Sequence, residues 1–268
     1  MNNKSSYNDD IIPIKEKESL LKRSKINMDE FRSLLLDKVK TPQGEFLDLA
    51  CGHGVRSTQM AELFPEGQHT GLDLNQEFVD YAREIADELR LTNISFKQFD
   101  IFKDQLKPNK YDFIYSRLFF QHIKEIDKVL SFVLNSLKPD GLLVIEDTTR
   151  SSMQIKSDEF CLEFNQLIED FKKGQKEQGG SPDIGIELYK ILDLKDSVNF
   201  MAQKETFHFQ LGTGLGSATT IELLETLSKC YLNDQRQEEA KVLLKKLSQK
   251  RVSGTFSWYV FYLSKVKK

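Results

Sequence analysis

Residues 45–54 read Glu-Phe-Leu-Asp-Leu-Ala-Cys-Gly-His-Gly, an apolar run that contains one acidic residue and passes directly into a turn of small residues. The apolar residues are typical of a buried parallel strand, which would carry Asp48 to the sheet edge where open α/β proteins bind ligands. Gly52 and Gly54 have no Cβ, so the backbone there can approach a ligand closely. A helix that opens near Val55 would add unpaired N–H groups at the same place. The stretch therefore predicts a strand, a ligand-binding loop and a helix in succession.

Beyond this stretch, apolar strands and amphipathic helices alternate at the spacing of βαβ units. The pattern predicts strands at 45–50, 68–74, 94–98, 111–116 and 142–147, with helices at 55–64, 76–89 and 123–137. Residues 137–141, Leu-Lys-Pro-Asp-Gly, predict a turn that ends the last of these helices, because proline cannot continue a helix.

Residues 48–54 resemble the glycine-rich first motif of class I S-adenosylmethionine-dependent methyltransferases of the small-molecule type, in which an acidic residue and a spacer precede Gly-x-Gly-x-Gly. Ala50 stands at the first glycine, a change that is tolerable if its φ is negative. Residues 137–141 are similar to the Leu-Lys-Pro-Gly-Gly turn before that family's fifth strand. The resemblance implies an α/β, Rossmann-like, doubly wound seven-stranded sheet, mostly parallel with an antiparallel final strand, plus a helical cap. It also implies S-adenosylmethionine as the cofactor.

The rest of the chain predicts how one methyltransferase domain of residues 1–268 is organised. Helical spacing at 16–22 and 28–39 predicts an N-terminal cap segment, 1–40, before the cofactor-binding core at 45–147. Helices at 157–173 and 184–194 predict a helical insertion or cap, 151–195. Residues 198–264 are predicted to form the C-terminal strands, 198–210 and 254–264, with helices at 218–231 and 235–248 between them.

Acidic residues end the second and third predicted strands. Asp73 lies about 20 residues past the loop, where a carboxylate can accept hydrogen bonds from ribose hydroxyls. Its structural alternative is a helix N-cap, for which Asn75 is equally well placed. The resemblance implies that Asp100 accepts from the adenine amine while Ile101 packs on the ring. The resemblance and strand-end positions together predict a cofactor-binding set of Asp48, Ala50, Cys51, Gly52, Gly54, Asp73, Leu74, Asp100, Ile101 and Arg117.

Two further side chains follow the fourth predicted strand. Arg117 can pair with a carboxylate of the cofactor or of the substrate, or be an ordinary charge at a strand end, and the sequence leaves these alternatives open. His122 is the candidate catalytic residue, because an imidazole that titrates near neutrality can take a proton from an acceptor hydroxyl or amine. The alternative is a capping or supporting histidine.

The amino-acid composition limits the classes of partner that the protein is expected to bind. A net charge of -3 and a pI of about 5.9 give no global basic field, which makes a nucleic-acid partner unlikely. Cys51, Cys161 and Cys230 form no Cys-x-x-Cys pair and predict neither disulfides nor a metal site. The polar N-terminus and the absence of any run near the roughly 18 apolar residues of a membrane span argue against membrane contact. We therefore expect a cytoplasmic protein whose partner is a small molecule.

We expect methyl transfer to a small-molecule acceptor by in-line displacement, mainly through proximity and water exclusion, because the sulfonium cofactor is already activated. A noncatalytic S-adenosylmethionine-binding sensor or assembly protein is one alternative, since none of these residues is an assured catalyst. An NAD(P)-dependent dehydrogenase is another, although its loop requires glycine or alanine where Ser57 stands. The acceptor would lie under the cap, whose own core is predicted to include Phe160, Phe164, Phe171 and Tyr189.

Overall fold

The computed structural model describes residues 28–212 and 215–266, with the backbone alone at 215–219. The helix predicted at 16–22 lies outside the described residues, as does most of the predicted cap segment 1–40. The part of that segment that is described contains a helix, which begins at Met28 as predicted.

Seven strands form one sheet with the order β3-β2-β1-β4-β5-β7-β6. The strands are β1 Glu45–Leu49, β2 Gln68–Asp73, β3 Ile94–Gln98, β4 Tyr111–Arg117, β5 Leu137–Lys156, β6 Val198–Leu211 and β7 Val252–Lys265. The first five pair in parallel, and β7 pairs antiparallel with both β5 and β6. The predicted fold class, with its antiparallel final strand, is confirmed.

Helices flank both faces of the sheet. They are α1 Met28–Lys38, α2 Val55–Leu63, α3 Gln76–Glu88, α4 Ile126–Ser136, α5 Cys161–Glu177, α6 Ile184–Asp193, α7 Leu215–Tyr231 and α8 Asp234–Ser248. A short 3-10 segment, Phe120–His122, precedes α4, so the helix predicted at 123–137 begins later than expected. Its delay follows from Ile123, whose backbone is extended and separates the two helical segments.

The fifth strand differs most from the prediction. Helix α4 ends at Ser136, three residues before Pro139, and residues 137–141 do not form a separate turn. They belong to β5, where a register shift separates the pair Tyr111–Leu137 from the pair Phe113–Leu142. At its other end β5 continues nine residues past the predicted end at Asp147 to Lys156, because residues 154–156 pair with β7. The predicted helical insertion 151–195 therefore starts as a strand.

Packed clusters of apolar side chains position the site. Helices α1 and α2 cover one face of the central strands, and α4 and α6 cover the other. Helices α5, α7 and α8 pack around the extended ends of β5, β6 and β7 as a separate cap core. Phe160, Phe164 and Phe171 lie in that core, as predicted. The prediction for Tyr189 is wrong, because it lies on the outer side of α6 and is 48% exposed.

Candidate functional site

Asp48 anchors the helix beneath the loop rather than facing open space. Its side chain is buried, and Ser57 Oγ in α2 donates a hydrogen bond of 2.5 Å to its carboxylate. Burial raises the pKa of Asp48 to about 6, although the Ser57 hydroxyl and nearby Arg56 oppose that rise. Asp48 therefore ties the end of β1 to the first turn of α2 and fixes the loop between them.

The loop of residues 50–54, here termed the glycine loop, turns through three left-handed positions. The φ angles are +62° at Ala50, +53° at Gly52 and +71° at Gly54. The condition under which alanine is tolerable at position 50, a negative φ, is therefore not met. An L-residue in this conformation costs about 1–2 kcal/mol, which explains why a glycine suits the position better. The turn requires that backbone conformation whichever residue occupies it.

The two glycines of the loop have different surroundings. A Cβ built on Gly54 would lie 2.7 Å from Ala82 Cβ and 2.8 Å from Phe96, so Gly54 allows α3 and β3 to pack against the loop. A Cβ built on Gly52 would meet no described atom within 4 Å. Gly52 therefore presents bare backbone to an open space, whereas Gly54 serves packing.

Asp73 connects the end of β2 to the glycine loop. Its carboxylate accepts hydrogen bonds from the N–H of Gly52, at 2.8 Å, and from the N–H of Asn75, at 3.0 Å. The N-cap of α3 is Asn75 and not Asp73. The Asn75 side chain accepts hydrogen bonds from the N–H groups of Glu77 and Phe78 at the start of α3. Asp73 is half-buried beside Gly52, and a carboxylate oxygen can accept more than one hydrogen bond.

Four of the remaining predicted cofactor residues lie in the glycine loop or in the segments that follow β2 and β3. The Cys51 thiol packs among the residues of α3 and β3, and burial raises its pKa, so the loop offers backbone rather than a thiolate. Leu74 and Ile101 are half-buried. The Asp100 carboxylate accepts from the N–H of Phe102 at 3.0 Å and pairs with Lys103 at 2.7 Å, which holds the turn after β3.

Arg117, at the end of β4, contacts residues of β5 and β7. Its guanidinium lies 4.7 Å from the ring centre of Trp258, and its Nε is 3.5 Å from a carboxylate oxygen of Glu146. Burial, and then the neighbouring charge of Arg56, lower the pKa of Arg117. Trp258 lies in β7, three positions from β1 in the sheet, so Arg117 is directed toward the C-terminal strands.

His122 ends the 3-10 segment after β4. Burial, and then the charge of Arg150, lower its pKa to about 3, so the imidazole is neutral at physiological pH. A neutral imidazole can accept a proton, but one with this pKa is a weak base. The catalytic role of His122 stays a prediction.

A buried hydrogen-bond network that the sequence analysis did not predict joins three side chains. It is here termed the arginine cluster and consists of Gln121, Arg150 and Gln175. Arg150 Nη2 donates to Gln121 Oε1 at 3.2 Å, and its Nε donates to Gln175 Oε1 at 3.4 Å. Gln175 Nε2 in turn donates to the backbone carbonyl of Gln121 at 2.9 Å. The cluster joins the segment after β4, the strand β5 and the cap helix α5.

In the part of the chain that the structure describes, no group of three or more histidine, cysteine, aspartate or glutamate side chains is placed to hold a metal ion. None of the described helices has both the length and the apolar character needed to cross a membrane.

Comparison with known proteins places this geometry in a family. Residues 40–207 match the methyltransferase domain family, and the chain belongs to it. The predicted class, the class I S-adenosylmethionine-dependent methyltransferases, is confirmed, and with it the choice of cofactor. The family match also decides against the dehydrogenase alternative.

Two curated relatives and one solved structure illustrate the match. The chain is 30% identical to demethylmenaquinone methyltransferase of Lactobacillus johnsonii over 47% of this chain and 52% of that protein. It is 27% identical to malonyl-[acyl-carrier protein] O-methyltransferase of Acetivibrio thermocellus over 53% and 50%. The YcgJ protein of Bacillus subtilis has a similar fold, with a TM-score of 0.62, 15% identity, and coverage of 90% of this chain and 100% of that one. The matched segment spans about half the length of these two curated relatives.

Proposed function

We propose that this protein transfers the methyl group of S-adenosylmethionine to a small-molecule acceptor by in-line displacement. The observation that carries the proposal is the link between Gly52 and Asp73, in which bare loop backbone and a strand-end carboxylate adjoin one open space. That combination suits a ligand with both a compact amino-acid portion and ribose hydroxyls. The two curated relatives are named for methyl transfer to demethylmenaquinone and to malonyl-[acyl-carrier protein], which supports a methyl-transfer reaction here.

The residues proposed to hold the cofactor follow from their positions. Gly52 would admit its methionine portion to the loop, Asp73 would accept from its ribose hydroxyls, and Asp100 would accept from its adenine amine. Leu74 and Ile101, both half-buried, would pack against the adenine ring. When bound, S-adenosylmethionine supplies an activated methyl group on a sulfonium.

The chain's own contribution is alignment and exclusion of water. Both are substantial, because fixing two reactants in line contributes up to about 7–11 kcal/mol in favourable intramolecular reactions. The loop is suited to this role because Asp48 holds β1 to α2 on either side of it, and Asp73 of β2 holds the N–H of Gly52 at its centre. No strong general base is required for an acceptor that is already nucleophilic.

The test is turnover of methyl-labelled S-adenosylmethionine with a metabolite extract. We expect label to enter one or more small molecules, with one S-adenosylhomocysteine formed per methyl group transferred. The Gly52→Val variant is the matched control, since it should lose transfer while keeping the fold. Tight binding of the cofactor with no labelled product in repeated extracts would reject the enzyme proposal and favour a noncatalytic sensor.

A further inference from the structure

Arg150 is buried at a junction of four elements. It is 7% exposed and lies in β5, where Gln121 of the 3-10 segment and Gln175 of α5 accept its hydrogen bonds. The side chain of Tyr231, at the end of α7, is its third hydrogen-bond partner. A guanidinium has five N–H donors, so these contacts leave some of them for a ligand.

Among the described residues no carboxylate forms an ion pair with Arg150, although its charge is near enough to Asp147 to oppose the rise in the pKa of that group. Among the side chains that the structure describes, no carboxylate oxygen lies within 4.0 Å of its guanidinium. The buried carboxylate of Asp147 accepts instead from the N–H groups of Gln121, at 3.1 Å, and Thr148, at 3.0 Å. Burial raises the pKa of Asp147 to about 7, so this group is partly protonated at neutral pH. A buried cation without a close anion is unfavourable, and an anionic ligand would relieve that cost.

Two buried hydroxyls on adjoining segments also lack a hydrogen-bond partner among the described residues. Thr149 Oγ1 and Ser181 Oγ are buried and have no hydrogen-bond partner among the described residues. Their segments adjoin, because the N–H of Arg150 donates to the carbonyl of Pro182 at 2.9 Å. Buried hydroxyls are usually hydrogen-bonded, so these two add capacity for the oxygen atoms of a ligand.

The cluster lies at the same sheet edge as the glycine loop. Gln121 closely follows β4, which pairs in parallel with β1, and Arg150 lies beyond the part of β5 that pairs with β4. Carboxyl ends of parallel strands meet at one edge, so cofactor and cluster share the ligand-binding side. Gln175 and Ser181 come from the cap insertion, which covers the cluster on that side.

We propose that Arg150, together with the hydroxyls of Thr149 and Ser181, binds an anionic group of the methyl acceptor, either a carboxylate or a phosphate. The inference rests on the proposed function and adds the chemical class of its substrate. The acceptor is an acidic small molecule whose negative group docks on the arginine cluster, while its nucleophilic atom faces the cofactor.

The test titrates named anions into the protein saturated with S-adenosylhomocysteine, at constant ionic strength. Succinate and inorganic phosphate are the probes, and uncharged succinamide is the matched control. We expect at least one anion to raise the unfolding temperature and to bind measurably by calorimetry, while succinamide does neither. Arg150→Gln should weaken that anion binding at least tenfold. Lys173→Gln, an exposed lysine of the same helix as Gln175, should leave it unchanged.

A second variant covers the case in which Arg150→Gln does not fold. Thr149→Val removes a hydroxyl that has no partner, so it should leave stability unchanged or raised, yet weaken anion binding severalfold. Failure of both anions to bind, or equal binding to wild type and these variants, would overturn the inference. Weaker S-adenosylhomocysteine binding by Arg150→Gln would also overturn it, by assigning Arg150 to the cofactor. Titrations of the anions repeated without S-adenosylhomocysteine keep the two proposals separate. If the anions bind but S-adenosylhomocysteine does not, the result counts against the proposed function alone.

Discussion

The glycine loop and the arginine cluster lie at the same edge of one sheet but are built in different ways. The loop is a backbone structure, in which three left-handed residues and one carboxylate 21 positions later define the site. The cluster is a side-chain structure, in which Gln121, Arg150 and Gln175 converge from three separate elements. A backbone site of this type can be recognised from a short sequence motif. A side-chain site such as the cluster forms only when distant residues come together in the folded chain.

The largest effect is expected where the cap supports the arginine cluster. A Cβ on Gly174 in α5 would lie 2.1 Å from the backbone carbonyl oxygen of Tyr231, so Gly174→Ala must push α5 and α7 apart. We expect the free energy of unfolding to fall by about 3 kcal/mol, measured by urea denaturation. S-adenosylhomocysteine affinity of the folded protein should stay within about twofold, because the glycine loop is built independently. Leu162→Ala, on the exposed side of α5, is the control. A parallel loss of cofactor affinity would show that the two regions are coupled.

The next largest effect is a pH dependence of stability that arises from Asp48, beneath the glycine loop. The pKa of Asp48 is raised to about 6 in the folded protein, so the folded state binds more protons than the unfolded state between about pH 4 and pH 6. Its contribution to stability is therefore present at low pH and lost as pH rises through that window, by about 3 kcal/mol at most. Asp48→Asn should flatten this part of the stability profile.

The measurement is urea denaturation at intervals from pH 4 to pH 8. Asp87→Asn, at an exposed position of α3, should leave the profile as in wild type. An unchanged profile in Asp48→Asn would mean that Asp48 is not the buried acid described here. A residual slope up to about pH 7 is expected in that variant, because Asp147 is also buried and its pKa is raised.

Gly52→Val separates ligand approach from packing within the loop. The new side chain would enter the open space beside Gly52, so we expect S-adenosylhomocysteine affinity to fall at least tenfold, about 1.4 kcal/mol, by calorimetry. Strain at positive φ should also lower stability by about 1–2 kcal/mol. Gly179→Val introduces the same kind of strain far from the loop, at φ +88°, and should spare affinity. Equal affinity in the two variants would contradict the role of Gly52.

The strands, the loop and the helix on the cofactor side were predicted well because their signals are local. The strand, the glycines and Asp73 lie in order along the chain, although the condition set for Ala50, a negative φ, is not met. The arginine cluster was missed because nothing in the sequence relates residue 121 to residues 150 and 175. The length of β5 was also missed, since its final residues become a strand only by pairing with β7. Local sequence propensity indicates which segments form strands, but pairing with neighbouring strands determines where each strand ends.

The smallest expected effect is a gain in stability. Ala50→Gly relieves the left-handed strain of about 1–2 kcal/mol and adds about 0.4–1 kcal/mol of chain entropy to the unfolded state. We expect a net increase in unfolding free energy of about 0.5–1 kcal/mol, by urea denaturation, with cofactor affinity retained. Arg90→Gly, at φ +55° beyond α3, provides a matched position outside the loop and should show a similar gain. A loss of stability at Ala50 alone would contradict the loop conformation.

The most direct test of the cofactor site is thermal unfolding with S-adenosylhomocysteine, with NADH in parallel. At about 100 times its dissociation constant, S-adenosylhomocysteine should add about 2.7 kcal/mol to stability, and NADH should add nothing. At the same concentration Gly52→Val, whose affinity should be at least tenfold weaker, should gain about 1.4 kcal/mol at most. No stabilisation of the wild type, or stabilisation by NADH instead, would contradict the assignment of the glycine loop and Asp73 to S-adenosylmethionine.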